Sequence, residues 1–173
     1  ISQVYKNGKL VCENGKALFE CETVDNSKVT NTVHLPKISA DFFKTDVKDK
    51  FDAIELIPES IITKKVTVSY SDSLSKVCVI ERHHNLGTKG IGFVTNYGIT
   101  NGAIATSIGH DSHNVIVIGD NDSDMALAVN TLGTSGGIAV CSEGKVIASM
   151  TLDIAGLMSV KSADEVTREH DNL

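Results

Sequence analysis

Tryptophan is absent from this 173-residue chain, and aromatic residues of all kinds make up only 5% of it. A core of any size must therefore rest on Val, Ile, Leu and Ala, and 41% apolar content is ample for one at this length. No apolar run reaches the 18 or more residues that a spanning helix needs, so no membrane segment is expected. No stretch reads as a secretory leader either. Basic residues are in the minority, 16 Lys and Arg against 22 Asp and Glu, for a net charge of -6. That balance excludes a nucleic-acid partner, which would require clustered cations to neutralise phosphates. The four cysteines, Cys12, Cys21, Cys78 and Cys141, form no Cys-x-x-Cys pair, which removes a zinc ribbon. Cys78 and Cys141 end or interrupt apolar runs and are expected to be small buried hydrophobes in a reducing cytoplasm. Glycine-rich dinucleotide and phosphate-loop patterns are missing, as is a Gly-x-Ser-x-Gly elbow.

What is present is β-rich. Asn7-Gly8 and Asn14-Gly15 separate short apolar runs, and Asn-Gly supplies the positive φ of a two-residue hairpin turn, so a small meander is expected over the first 20 residues. Residues 22 to 50 are mixed and polar, with a short helix expected near Asp41-Phe42-Phe43. Strands are expected at Lys65–Tyr70 and from Lys76 into Glu81-Arg82-His83, with a further short strand among the five glycines between 84 and 102. Ala103–Ile108 and Val115–Ile118 follow. Their link is too short for a parallel crossover and predicts a hairpin. Met125, Ala128, Val129 and Leu132 fall at i, i+3, i+4 and i+7 and predict a helix, capped by Asn121 or Asp122 and ended by Gly133. Runs at 137–141 and 146–150 around Ser142-Glu143-Gly144-Lys145 predict another hairpin, and 163–170 a terminal helix. Strands, one helix, then strands is an α+β pattern: a largely antiparallel sheet with few helices.

Chemistry-bearing residues gather around one strand. His110-Asp111-Ser112-His113-Asn114 precedes Val115–Ile118, and Gly119-Asp120-Asn121-Asp122-Ser123-Asp124 follows it. At a hairpin tip, imidazole and carboxylate could bind a metal, relay a proton or hydrogen-bond a purine edge. Equally, Asp111 and Asn114 could shape the turn while the histidines bond to backbone. The acidic run resembles the strand-end motif of haloacid dehalogenase-like phosphatases, yet the early Asp-x-Asp nucleophile of such enzymes is missing. Helix capping accounts for much of that run. Arg82, at another strand end beside His83 and His84, is an expected fork partner for one of the aspartates.

Beyond single motifs, a long stretch resembles one family. Arg82-His83, Gly90 to Gly92 with Phe93-Val94, Gly102-Ala103-Ile104-Ala105, His110 to Asn114, Asp124-Met125-Ala126, Gly136-Gly137 and Ile154-Ala155-Gly156-Leu157-Met158-Ser159 together look like the C-terminal domain of bacterial adenine deaminases, of the amidohydrolase superfamily. His84 departs from that pattern, where the family tends to have Gly. The resemblance implies residues 1–24 as the end of a β-sandwich and 25–173 as an α+β domain, C-terminally incomplete, both ends looking like cuts in a longer protein. It implies hydrolysis of adenine to hypoxanthine and ammonia in purine salvage, by a barrel carrying Mn²⁺ or Fe²⁺. The superfamily's His-x-His metal motif is absent here, so no metal ligand is expected in this chain. His110, Asp111 and His113 are then candidate supporting catalytic residues, with Arg82, His83, Asn114 and Asp120 as candidate substrate-side residues. All are expected to face the barrel mouth. Adenine, the barrel of the same protein and a homo-oligomer are the implied partners. An assembly module without part in the chemistry is the alternative.

Overall fold

The computed structural model describes residues 1–20, 22, 24–46, 49–69 and 74–173. Cys21 and Tyr70, the last residue of the expected strand at 65–70, lie outside the described residues. The N-terminal strands β1 (Gln3–Lys6), β2 (Lys9–Glu13) and β3 (Lys16–Ala17) form an antiparallel meander. Its turns have Asn7 and Gly8 at φ 50° and 74°, and Asn14 and Gly15 at 49° and 79°, as the Asn-Gly pairs predict.

The remaining strands are β4 (Lys50–Leu56), β5 (Thr63–Ser69), β6 (Ser75–Ile80), β7 (Lys89–Thr95), β8 (Gly102–Thr106), β9 (Val115–Gly119), β10 (Gly137–Ser142) and β11 (Lys145–Thr151). They make one eight-stranded sheet in the order β11-β10-β8-β9-β6-β7-β4-β5. Every pairing is antiparallel except β4 with β7. With two α-helices among the described residues, this is the expected α+β class. Strand β4 had no counterpart in the sequence reading. Its alternating Phe51 and Ala53 are buried in a small second core with Leu74.

Helix α1 (Asp122–Thr131) lies across one face of the sheet. Its stripe of Met125, Ala128 and Val129, with Leu132 just past its end, is buried as the periodicity predicts. The strands it packs on, β8, β9 and β10, bring the small Ala103, Ala105, Ala139 and Cys141 together with Val115 and Val117 into the shared core. The same core is plugged from upstream by Val33, Ile38 and Phe43, each no more than 4% exposed. Asn130 of α1 fixes that plug by exchanging two hydrogen bonds with the backbone of Ile38, at 3.0 and 2.7 Å. The helix expected near 41–43 is a 3-10 turn at Ala40–Phe43. Helix α2 (Ala163–Asp171) starts on a capping box, in which the Ser162 hydroxyl accepts from Glu165 N–H and the Glu165 carboxylate accepts from Ser162 N–H.

Candidate functional site

Arg82, two residues past β6, is 2% exposed. A buried guanidinium must find acceptors, because desolvating it unpaired is expensive. It finds main-chain carbonyls rather than the expected aspartate. Nε donates to the His113 carbonyl and Nη2 to the Ala155 carbonyl at 2.9 Å. Burial pulls its basicity below the ordinary arginine value. Nη1 lies against Gly156, where a Cβ would come within 2.9 Å of it. Beside it Ser107, fully buried, donates to the Gly156 carbonyl at 2.5 Å and accepts from Gly137 N–H at 2.7 Å. Arg82 and Ser107 thus tie three chain segments, 109–113, 136–137 and 155–156, into one buried polar knot.

The loop between β8 and β9 is held by this knot. His113 N–H donates to the Gly109 carbonyl at 2.9 Å, and Asp111 and His113 adopt φ of 63° and 50°. The His83 ring donates through Nε2 to the Ser112 carbonyl at 2.9 Å, a second grip on the same loop. His83 is itself set by Glu81, whose carboxylate accepts from the backbone N–H groups of His83, His84 and Leu86. Those bonds, the one from Leu86 foremost, hold the Glu81 carboxyl below its usual value. At the tip, His110 Nδ1 and Asp111 Oδ1 are 3.1 Å apart, with side chains 96% and 91% exposed. His113 turns inward instead, and its Nδ1 is buried without a hydrogen bond among the described residues, as is Asn114 Oδ1.

The acidic run is at the opposite end of β9, about 20 Å from Asn114 at ~3.4 Å per residue. Asp120 accepts from the N–H groups of Asn101 and Gly102 and from Asn121 Nδ2, closing the entry to β8. Asn121 is the cap of α1, its Oδ1 accepting from Asp124 N–H at 2.8 Å. Buried Asp124 accepts from Gly144 N–H at 2.8 Å and from Asn121 Nδ2 at 3.0 Å. Asp122 pairs with Lys76 Nζ at 2.5 Å. Every carboxylate of the run thus has a fold-building partner. A cleft of about 300 Å³ opens beside it, lined by Lys44, Phe51, Lys76, Phe93, Asn121 and others. Among the described residues, no three His, Cys, Asp or Glu side chains converge as a metal site. Cys78 offers no nucleophile, since burial pushes its thiol up to about 11.

A family model described as the adenine deaminase C-terminal domain matches residues 55–173. The chain belongs to this family. Three relatives show how the domain relates to larger proteins. "Adenine deaminase 2" of Carboxydothermus hydrogenoformans is 39% identical over 98% of the chain and 32% of its own length. The adenine deaminase of Dehalococcoides mccartyi is 36% identical over the whole chain and 33% of its own length. That of Clostridium acetobutylicum is 40% identical over 96% of the chain and 32% of its own length. The chain spans about a third of the length of the curated relatives it matches.

Within this adenine deaminase domain, the candidate residues separate into two places. Arg82, His83, His110, Asp111, His113 and Asn114 share one end of the sheet. Asp120 does not join them, because β9 holds it at the other end. The expected Arg82–aspartate fork is replaced by bonds to carbonyls. Sequence reasoning did not single out Ser107, and it named Ala155 and Gly156 only as part of a resemblance. Their partners are main-chain atoms, which leave no side-chain signature. The one available signal was Gly136-Gly137. Gly137 has φ 130°, and a Cβ on it would sit 1.9 Å from the Met150 carbonyl oxygen.

Proposed function

We propose that this chain is the C-terminal, non-barrel part of a metal-dependent adenine deaminase, converting adenine and water to hypoxanthine and ammonia in purine salvage in the cytoplasm. The match along the whole chain to proteins named adenine deaminase carries this reading. Residues 1–24 then complete a β-sandwich, and residues 25–173 form the accessory α+β domain. Among the described residues no three His, Cys, Asp or Glu side chains converge on a metal, which supports a reading in which Mn²⁺ or Fe²⁺ would sit on a barrel outside this chain and activate water there.

In this reading the 110–114 loop supports the active site of the barrel. A loop clamped by Arg82 and His83, with His110 and Asp111 presented to the outside, suits a surface that meets another part of the protein and positions groups there. His113→Ala in the full-length enzyme should lower kcat/KM for adenine at least tenfold, with its oligomeric state unchanged. An unchanged kcat/KM would remove the support for this role. The alternative, an assembly module, draws on the fact that the side chains of Arg82 and His83 donate to backbone carbonyls of this chain. Loss of oligomer with normal turnover per folded subunit would favour it.

A further inference from the structure

Asparagine precedes glycine at Asn7-Gly8, Asn14-Gly15 and Asn101-Gly102, and all three asparagines lie in the left-handed region, at φ 50°, 49° and 55°. The three pairs differ in what holds the peptide group between the two residues. In the two hairpin turns it stands free. Asn7, Gly8, Asn14 and Gly15 are exposed, and a Cβ on either glycine would meet nothing within 4 Å. Among the described residues, neither peptide group takes part in a hydrogen bond. The third is clamped on both sides. Gly102 N–H donates to Asp120 Oδ1 at 2.9 Å, and the Asn101 carbonyl accepts from Ser142 Oγ at 2.6 Å and from Glu143 N–H at 3.3 Å. Gly102 is buried, and a Cβ on it would come within 2.5 Å of the Cys141 carbonyl oxygen.

We propose that Asn7 and Asn14 are sites of spontaneous covalent modification to aspartyl and isoaspartyl residues, and that Asp120, Ser142 and Glu143 protect Asn101 from the same reaction. The glycine nitrogen loses its proton to hydroxide and attacks the asparagine Cγ. A Cγ–N bond forms, the Cγ–Nδ2 bond breaks, and Nδ2 takes a proton from water and leaves as ammonia. Water then opens the cyclic imide at either carbonyl, giving an aspartyl or an isoaspartyl link. Water is the only reagent consumed. Glycine suits the attack because no side chain shields its nitrogen. Closure requires the peptide group to turn about the asparagine Cα–C bond until its nitrogen faces Cγ. At Asn7 and Asn14 only the turn resists. No residue of β1, β2 or β3 is fully buried, and so poorly packed an element opens locally at little cost. At Asn101 the same rotation breaks three hydrogen bonds, and the Gly102 nitrogen would become an anion against the Asp120 carboxylate. Asp120 thereby has a use within the fold that needs no ligand. An isoaspartyl link adds a main-chain atom to a two-residue turn, so a modified hairpin loses the register that pairs Lys6 with Lys9 or Glu13 with Lys16.

Nothing in this chemistry depends on the deaminase reading, and its test needs only the chain itself. Incubation at mildly alkaline pH, followed by peptide mapping in a mass spectrometer that separates aspartyl from isoaspartyl, should show Asn7 and Asn14 converting at least tenfold faster than Asn101. Each conversion adds one negative charge to a chain already at -6, so ion exchange resolves the products. Asp120→Ala should speed conversion of Asn101 at least tenfold, and Ser142→Ala at least threefold. If Asp120→Ala does not fold, Ser142→Ala decides. Three results would each overturn the proposal: wild-type Asn101 reacting as fast as the turns, turn asparagines intact after a free Lys-Asn-Gly-Lys peptide has reacted fully, or Asn101 no faster in a folded variant.

Discussion

Replacing Arg82 with methionine tests the central knot most directly. The substitution keeps most of the buried aliphatic volume and removes the donors to the His113 and Ala155 carbonyls. Each buried carbonyl left without a donor costs about 1–3 kcal/mol, so the two together cost about 2–6 kcal/mol. Part of that is offset, because a desolvated charge disappears with the guanidinium. The net loss expected is about 2–4 kcal/mol, equivalent to a fall of roughly 5–15 °C in Tm for a chain of this size. Urea unfolding followed by circular dichroism gives the free energy, and amide hydrogen exchange gives the location. Protection should fall first at 109–114 and 154–158, the segments the guanidinium ties together. Arg82→Lys should recover only part of the loss, since one ammonium head does not reproduce a planar fork. A loss below about 0.5 kcal/mol for Arg82→Met, the range of ordinary surface changes, would refute the clamp.

Two further outcomes follow from the same region. Gly137→Ala should cost about 3 kcal/mol or more, because it drives a Cβ into the Met150 carbonyl and imposes φ 130° on an L-residue; a wild-type melting curve would contradict that geometry. The Glu81 carboxyl, held below its ordinary value of 4.5 by the N–H groups of Leu86, His84 and His83, should titrate with a depressed midpoint in the NMR spectrum. A depressed folded value means that the stabilisation is present above pH 4.5 and is lost as pH falls through the lowered midpoint. The 83–86 turn should open in that window, and Glu81→Gln should abolish the pH dependence.

Local chemistry made much of this fold legible. The Asn-Gly turns, the 3.6-residue stripe of α1 and the short link between β8 and β9 each carry their instruction in adjacent residues. Strand β4 was not legible although it pairs along its whole length with β5, because only Phe51 and Ala53 alternate inward before Ile54 and Glu55 break the pattern. The 110–114 loop was visible as a cluster of polar types, and its place at one end of the sheet followed. What holds it was hidden, since Arg82, His83 and Ser107 all reach for backbone oxygens that every residue possesses. Asp120 misled for a related reason. Acid next to a strand resembles a site until the strand's length is seen to separate it from the histidines.

The upstream plug of Val33, Ile38 and Phe43 has a consequence for where the folding unit begins. The stretch recognised as the domain starts at residue 55, part-way along β4, yet three of the most deeply sequestered side chains beneath α1 come from before it. A polypeptide trimmed to the recognised stretch would leave the underside of α1 hollow and Asn130 stripped of its Ile38 partner. Cooperative folding therefore needs a longer piece of chain than family resemblance alone would delimit.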